Sequence, residues 1–240
     1  MDQNKIGGIE MEYTKYAAIG HFKCHYCLNG RKYPVVIVNQ KEYLLDVQEM
    51  TVWSCLAWRI LSRQQIIEAY IKLSRGLSFT SSRTLSDCID RLITRGLIAE
   101  GRGSSEYDAL YDLLSCLYIA PVSVNPFLRI GVFLKMWLLD GTDFSTALRL
   151  FSRPKCSAEE KQIVRLTNKA LLSGAELIKC ADRGVQTISS EEQLMAHLYD
   201  DELSSCENLP ILMAASRKAR PVSTAIANLY LKKQIVFERC

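Results

Sequence analysis

Histidine is scarce in this chain of 240 residues, with three in all, and two of them flank the same cysteine. A general-base histidine therefore has few candidates. There is no phosphate-cradling glycine loop, no nucleophile elbow, no His-Glu-x-x-His and no paired-carboxylate arrangement in a recognisable context. The expectation is a protein that is not an enzyme. Long apolar runs are lacking too. The most apolar stretch, Pro126 to Leu139, is interrupted by Arg129 and Lys135 and is too short to span a bilayer. The first residues, MDQNKIGGIEMEYTK, are polar and mixed in charge, unlike a signal peptide. Nine cysteines form an odd set, and Cys55, Cys88, Cys116 and Cys180 fall inside helical patterns. Small buried thiols in a reduced, cytoplasmic protein with no membrane partner are the economical expectation. A net charge of +4 neither demands nor excludes nucleic acid.

What the chain does have is apolar content, 48%, enough to bury a core and to fill two small domains. The most informative stretch is SSRTLSDCIDRLITRGLIAE, Ser81 to Glu100. Ser81 or Ser82 can cap a helix by accepting from the free N–H groups of its first turn. Leu85, Ile89 and Leu92 fall at i, i+4 and i+7, one inward stripe. Gly96 sits where a left-handed closing residue belongs, and Leu97-Ile98 opens an extended segment. Upstream, Gln64 to Ser74 carries Ile66, Ile67, Tyr70 and Ile71 at helical spacing, broken by Gly76.

Helix, short connection, helix, Arg-Gly-Leu-Ile and strand follow in the order of a winged helix-turn-helix. At Arg91-Leu92-Ile93-Thr94-Arg95-Gly96-Leu97-Ile98 the chain resembles bacterial regulators of the MarR and PadR kind, over roughly residues 46–103. The resemblance implies a DNA-binding transcriptional regulator with double-stranded DNA as partner. Ser81, Ser82, Arg83, Ser86, Asp87 and Asp90 lie away from the apolar stripe, and Arg102 follows in the wing region. Arg83 and the serines would contact phosphates or base edges, whereas Asp87 and Asp90 would repel phosphates unless they read cytosine amino groups. Arg59, Arg63, Lys72 and Arg75 add positive charge around them. The chain departs from the pattern after Gly103. A returning wing strand is expected there, yet Ser104-Ser105-Glu106 reads as a cap for a helix carrying Tyr107, Leu110, Tyr111, Leu114 and Leu117.

The N-terminal region reads differently. Tyr33–Val38 and Tyr43–Leu45 are β-rich runs separated by Asn39-Gln40-Lys41, a hairpin, and Asp46 can cap the helix after it. Met50, Trp53, Ser54, Ala57, Trp58 and Leu61 give that helix a broad apolar face. A hairpin leading into a winged helix is topologically similar to the PqqD-like peptide-recognition fold, in which a peptide adds a strand to an open sheet edge. That resemblance implies, as the alternative, a protein- or peptide-interaction module with no DNA binding. Before the hairpin, His21, Cys24, His25 and Cys27 place four soft ligands within seven positions. Cys-x-x-Cys on a tight turn can cover half a zinc tetrahedron, a second such pair is missing, and a redox dithiol or plain structural residues are the other readings.

Beyond Pro121 the sequence reads as helices, over Pro126–Leu139, from Asp143 through Phe151, and from a capping box at Ser157-Ala158-Glu159-Glu160 to about Cys180. Arg220–Glu238 can be laid on Ser82–Glu100, so that Ala227 matches Ile89, Tyr230 matches Leu92 and Lys233 matches Arg95, and Val185-Gln186 then falls on Val47-Gln48. This predicts an internal repeat. The sequence thus predicts a mainly α fold with small β elements in four parts. These are a hairpin arm over 1–45, a winged-helix-like domain over 46–120, a helical connector or homodimerisation region over 121–182, and a second winged-helix-like unit over 183–240.

Overall fold

The computed structural model describes residues 12–26, 32–77, 83–122, 156–188, 190–200 and 204–239. They form a mixed architecture in which helices predominate over three small antiparallel sheets of three strands each. Asp46 and Glu49 close a capping box that starts α1 (Val47–Leu56). Ser62 and Gln65 do the same for α2 (Arg63–Leu73). Thr84 and Asp87 start α3 (Leu85–Thr94). In each, a side-chain oxygen and an N3 side chain satisfy two amide groups that the first turn cannot pair. Thr84 therefore takes the capping role expected of Ser81 or Ser82, which lie outside the described residues. α3 ends as its sequence predicts. Gly96 turns left-handed at φ +72° and its neighbour Leu97 donates back to Leu92 O at 2.9 Å.

Strand β1 (Tyr13–Ala18) corrects the expectation of an N-terminal arm. It lies at the centre of a sheet, paired with β5 (Ile60–Leu61) on one side and β6 (Ile98–Gly103) on the other. Ala17 faces Ile60 across one ladder and Ala99 across the other. The strand expected to return after Gly103 is thus supplied from the other end of the unit. Gly101 and Gly103 are strand residues and not a wing turn. A Cβ on Gly101 would stand 2.3 Å from Leu113 N, so glycine is what lets α4 (Glu106–Ser115) lie directly on the strand.

Between β1 and α1 the chain inserts a meander of β2 (His21–Tyr26), β3 (Lys32–Val38) and β4 (Lys41–Leu44). The predicted hairpin is its second half. Val38 faces Lys41 across a two-residue loop in which Asn39 and Gln40 both have positive φ, +47° and +62°. Two left-handed residues give the turn a twist that matches the strands it joins.

After α4 the same order of elements recurs. β7 (Tyr118–Pro121) is central between β8 (Leu172–Ser173) and β9 (Ile235–Glu238). Helices α5 (Ala158–Thr167), α6 (Gly174–Asp182), α7 (Glu191–Leu198), α8 (Leu209–Met213) and α9 (Ala219–Leu231) complete it. The predicted capping box at Ser157 is present. The helix it opens stops at Thr167 instead of running to Cys180, because Ser173 and Glu176 form a second capping box that starts α6. The second unit therefore begins at β7, and what reads as a connector over 121–182 supplies its first helices. The helices expected over Pro126–Leu139 and Asp143–Phe151 lie outside the described residues.

The repeat is real in topology, and its register differs from the sequence alignment by one residue. Lys232, not Lys233, ends α9 as Arg95 ends α3, and Lys233 takes the place of Gly96 with φ +58°. Ile226 and Leu229 then stand for Ile89 and Leu92, all four at most 1% exposed. The amide bond from Val122 to Gln234 O likewise matches that from Ile19 to Leu97 O. In the first half, Ser157 and Glu160 stand for Asp46 and Glu49, so Ala158-Glu159, and not Val185-Gln186, occupy the places of Val47-Gln48.

Two substitutions test this register. A side chain in the left-handed region costs about 1–2 kcal/mol relative to glycine. Lys233→Gly is therefore expected to raise the unfolding free energy by about 1 kcal/mol and Gly96→Ala to lower it by a similar amount. Leu229→Ala and Leu92→Ala should each cost about 2–5 kcal/mol as core truncations. Urea denaturation followed by circular dichroism measures all four.

Candidate interaction site

The residues with chemistry to offer gather where β4, the start of α1 and the outer face of α3 meet. At the centre is Glu49, whose side chain is 3% exposed. Its capping-box duty holds it near the Asp46 N–H, at 3.3 Å. Three arginines from α3 and its flanks close around the carboxylate. Arg91 Nε lies 2.6 Å from Oε1, Arg95 Nη1 2.9 Å from Oε2 and Arg83 Nη1 3.4 Å from Oε1. Arg83 also pairs with Asp46. A buried carboxylate demands such partners, because its desolvation is unfavourable by several kcal/mol otherwise.

This cluster accounts for several of the residues singled out in the sequence. Arg83, expected on the free face of the helix, is spent on Asp46 and Glu49. Ser86 accepts from Arg63 Nη2 at 2.6 Å. Asp87 is the N3 member of its own capping box, where the bonds from Thr84 hold its carboxyl below the usual carboxylate range. Asp90 is exposed and Arg102 pairs with Glu100. The outward face of α3 thus presents two carboxylates, with Arg91 (56% exposed) as its main cation. Ser81 and Ser82 are outside the described residues.

Arg95 reaches past Glu49 to β4. Its Nη2 donates to Leu44 O at 2.7 Å and its guanidinium lies 6.0 Å from the centre of the Tyr43 ring. That bond reveals the hydrogen-bonding phase of β4. The two-residue turn makes Val38 and Lys41 a mutually bonded pair, so Glu42 and Leu44 direct their N–H and C=O groups away from β3. Among the described residues no strand pairs with that side. β4 is an open edge beside a basic helix end, and Leu44 and Val47 expose apolar side chains at 64% and 56%. The sequence does not mark this edge, because Lys41-Glu42-Tyr43-Leu44 runs polar, polar, apolar, apolar without the alternation of a half-buried strand.

The candidate metal ligands take a different arrangement from a knuckle turn. β2 is a regular strand, so His21 and His25 leave one face and Cys24 leaves the other. His25 Nε2 lies 2.8 Å from Glu42 Oε1 without the angle of a hydrogen bond, and its ring stacks on Tyr33. His21 Nδ1 is 4.0 Å from Glu238 Oε1. Cys27 lies outside the described residues, and among those described no three His, Cys, Asp or Glu side chains converge as a metal group.

Three measurements follow. Glu49→Gln is expected to lower the unfolding free energy by about 1–3 kcal/mol, since three guanidinium groups lose a shared charge. Arg91→Ala, mostly in water, should cost under about 1 kcal/mol. With its ligands split between two faces of a strand, the purified protein should carry zinc at less than about a tenth of an equivalent by elemental analysis.

Among the described residues no helix is long and apolar enough to cross a membrane. No protein-family model, no curated protein and no solved structure matches the chain, so its function is argued from the geometry above.

Proposed function

We propose that this chain is a peptide- or protein-interaction module that captures an extended segment along the free edge of β4. The observation that carries the reading is the pairing of an unpaired strand edge with a fixed basic flank. Glu42 and Leu44 offer main-chain groups at the spacing of an added strand. Arg91, whose Nε lies 2.6 Å from Glu49 Oε1, is 56% exposed and within reach of a partner. Because Glu49 holds the arginines in place beforehand, little side-chain freedom is lost on binding. Main-chain bonding would supply affinity, and an acidic residue of the guest placed opposite Arg91 would supply selectivity. A binding role of this kind asks for no catalytic group. Its seven described cysteines are all free thiols, which suits a reducing compartment such as the cytoplasm.

A second reading keeps the regulator that the helix and strand order suggests. It is favoured by β1, which gives the first unit a three-stranded sheet beside an exposed α3, in the manner of a winged helix. On that reading Arg91 and Arg63, rather than Arg83, would meet phosphates.

The two readings separate experimentally. An array of acidic, β-prone peptides should yield binders, and Leu44→Pro should abolish their binding while leaving the circular dichroism unchanged, because proline removes an outward N–H that no internal bond uses. Arg91→Ala should weaken the same peptides about tenfold. Binding to duplex DNA should be weak, and Leu44→Pro should not change it. Tight DNA binding that falls steeply with salt, loses about one unit of salt slope in Arg91→Ala and ignores Leu44→Pro would establish the second reading over the first.

A further inference from the structure

A second site lies away from the β4 edge, at the seam between the two units. There a cavity of about 790 Å³ opens, walled by Phe22, Trp53, Trp58, Tyr230, Val236 and Glu238 among others. Its size is that of a pocket for a small organic molecule. Three aromatic walls are locked in position. Trp53 Nε1 donates to Ile19 O at 3.2 Å. Tyr230 is stacked on Phe237 at 4.2 Å between ring centres, and its hydroxyl lies 3.1 Å from Leu56 O and 3.2 Å from Ala18 O. That hydroxyl also accepts from the Trp58 N–H at 3.2 Å. The bond helps hold Trp58 at φ +63°, a conformation that a bulky residue adopts only where its surroundings impose it. In this conformation the Trp58 indole lies 5.6 Å from the Tyr230 ring at an angle of 39°, and both line the cavity.

The acidic element of the wall is Glu238, with a side chain 12% exposed, and His21 and Ser54 line the cavity as well. One carboxylate oxygen accepts from the Asn39 N–H at 2.8 Å. The other has His21 Nδ1 as a distant neighbour at 4.0 Å. Burial pushes this carboxyl above its usual range, and the Asn39 bond and His21 oppose that shift. A desolvated acid beside aromatic faces favours a cation that is itself largely apolar.

We infer that this cavity is a binding site for a small aromatic amine, its rings against the wall formed by Trp53, Trp58 and Tyr230 and its ammonium group toward Glu238. The site spans both units, since α1 and β2 belong to the first, and Tyr230, Val236 and Glu238 to the second. An occupant therefore contacts both at once. This inference is independent of the peptide edge, because β4 contributes nothing to the cavity wall.

Calorimetric titration of the full chain with three naphthalene probes of similar size tests it. They are 2-(aminomethyl)naphthalene, 2-naphthalenemethanol and 2-naphthoate. The amine should bind at least tenfold more tightly than the alcohol, and the carboxylate most weakly. Glu238→Gln, which keeps an acceptor for Asn39, should remove the advantage of the amine over the alcohol. Ser54→Trp, at an exposed rim position on α1, should fill the mouth and weaken the amine at least tenfold with an unchanged thermal transition of the unliganded protein. Equal binding of the three probes, no binding of the amine, or a Ser54→Trp variant that binds like the parent would each overturn the site.

Discussion

Two buried glutamates set the frame of this molecule. Glu49 and Glu160 each occupy the N3 position of the first helix of their unit, each is about 2% exposed, and each lies close to the N-cap amide of its own helix. Burying a carboxylate is unfavourable unless a cation lies beside it. In the first unit the end of α3 supplies Arg91 and Arg95, joined by Arg83. In the second, the end of α9 supplies Lys232, with Nζ 2.7 and 2.8 Å from the two oxygens of Glu160. The same kind of ion pair therefore ties the start of the first helix to the end of the helix that precedes the last strand in both halves. It fixes where the following strand begins, and through that the central position of β1 and β7. The geometry is specific as well as stabilising, since a carboxylate buried off this axis would lack its partner.

That constraint decides what the surface can offer. An arginine committed to a buried carboxylate is not available as a mobile phosphate clamp, which is the fate of Arg83. One bonded by a single nitrogen at the rim, such as Arg91, keeps most of its donors in a fixed orientation. The second unit differs because lysine replaces the arginines. A lysine is a point charge without a fork, and Lys232 meets both oxygens of Glu160, whereas Arg95 splits its fork between Glu49 and Leu44 O. One topology thus carries a cluster of arginines around its buried glutamate in one copy and a lysine–glutamate pair in the other.

How much of this was legible follows the range of each interaction. The cap at Asp46, the capping box at Ser157, the left-handed Gly96 and the loop at Asn39-Gln40-Lys41 are local chemistry, readable within four residues, although Lys41 already belongs to β4. The stripe on α3 is also local, and its burial follows the spacing. β1 could not be placed in this way, because its partner Gly103 lies ninety residues from Tyr13 and nothing in either segment names the other. The Ser173 break was readable from Ser173 and Glu176, but the apolar stripe from Val164 to Ile178 continues across it and suggests one helix. The repeat register slipped by one residue because Gly96 was matched to Gln234. In the fold, Lys233 tolerates positive φ under tertiary constraint. For the candidate sites, residue types drew attention to Arg83, Cys24 and His25, whereas what matters is where each side chain is directed. A regular strand separates Cys24 from the histidines, and a buried acid claims Arg83.

The seam explains why the two copies are not interchangeable. Phe237 O accepts from the Gly20 N–H at 2.7 Å, and Glu238 accepts from Asn39, so β9 of the second unit abuts the start of the meander in the first. Gly20 is required at that junction. At φ +80° a Cβ there would stand 2.2 Å from Ile37 O. This contact falls at the end of the meander where β2 begins and β3 turns into β4, and among the described residues no strand pairs with the far side of β4. Unprotected edges invite indiscriminate pairing. Here β4 is short, and Arg95 is already bonded to its last carbonyl. What remains on β4 is Glu42, the Leu44 amide and the arginines beside them, a four-residue edge with few positions at which a sheet could grow.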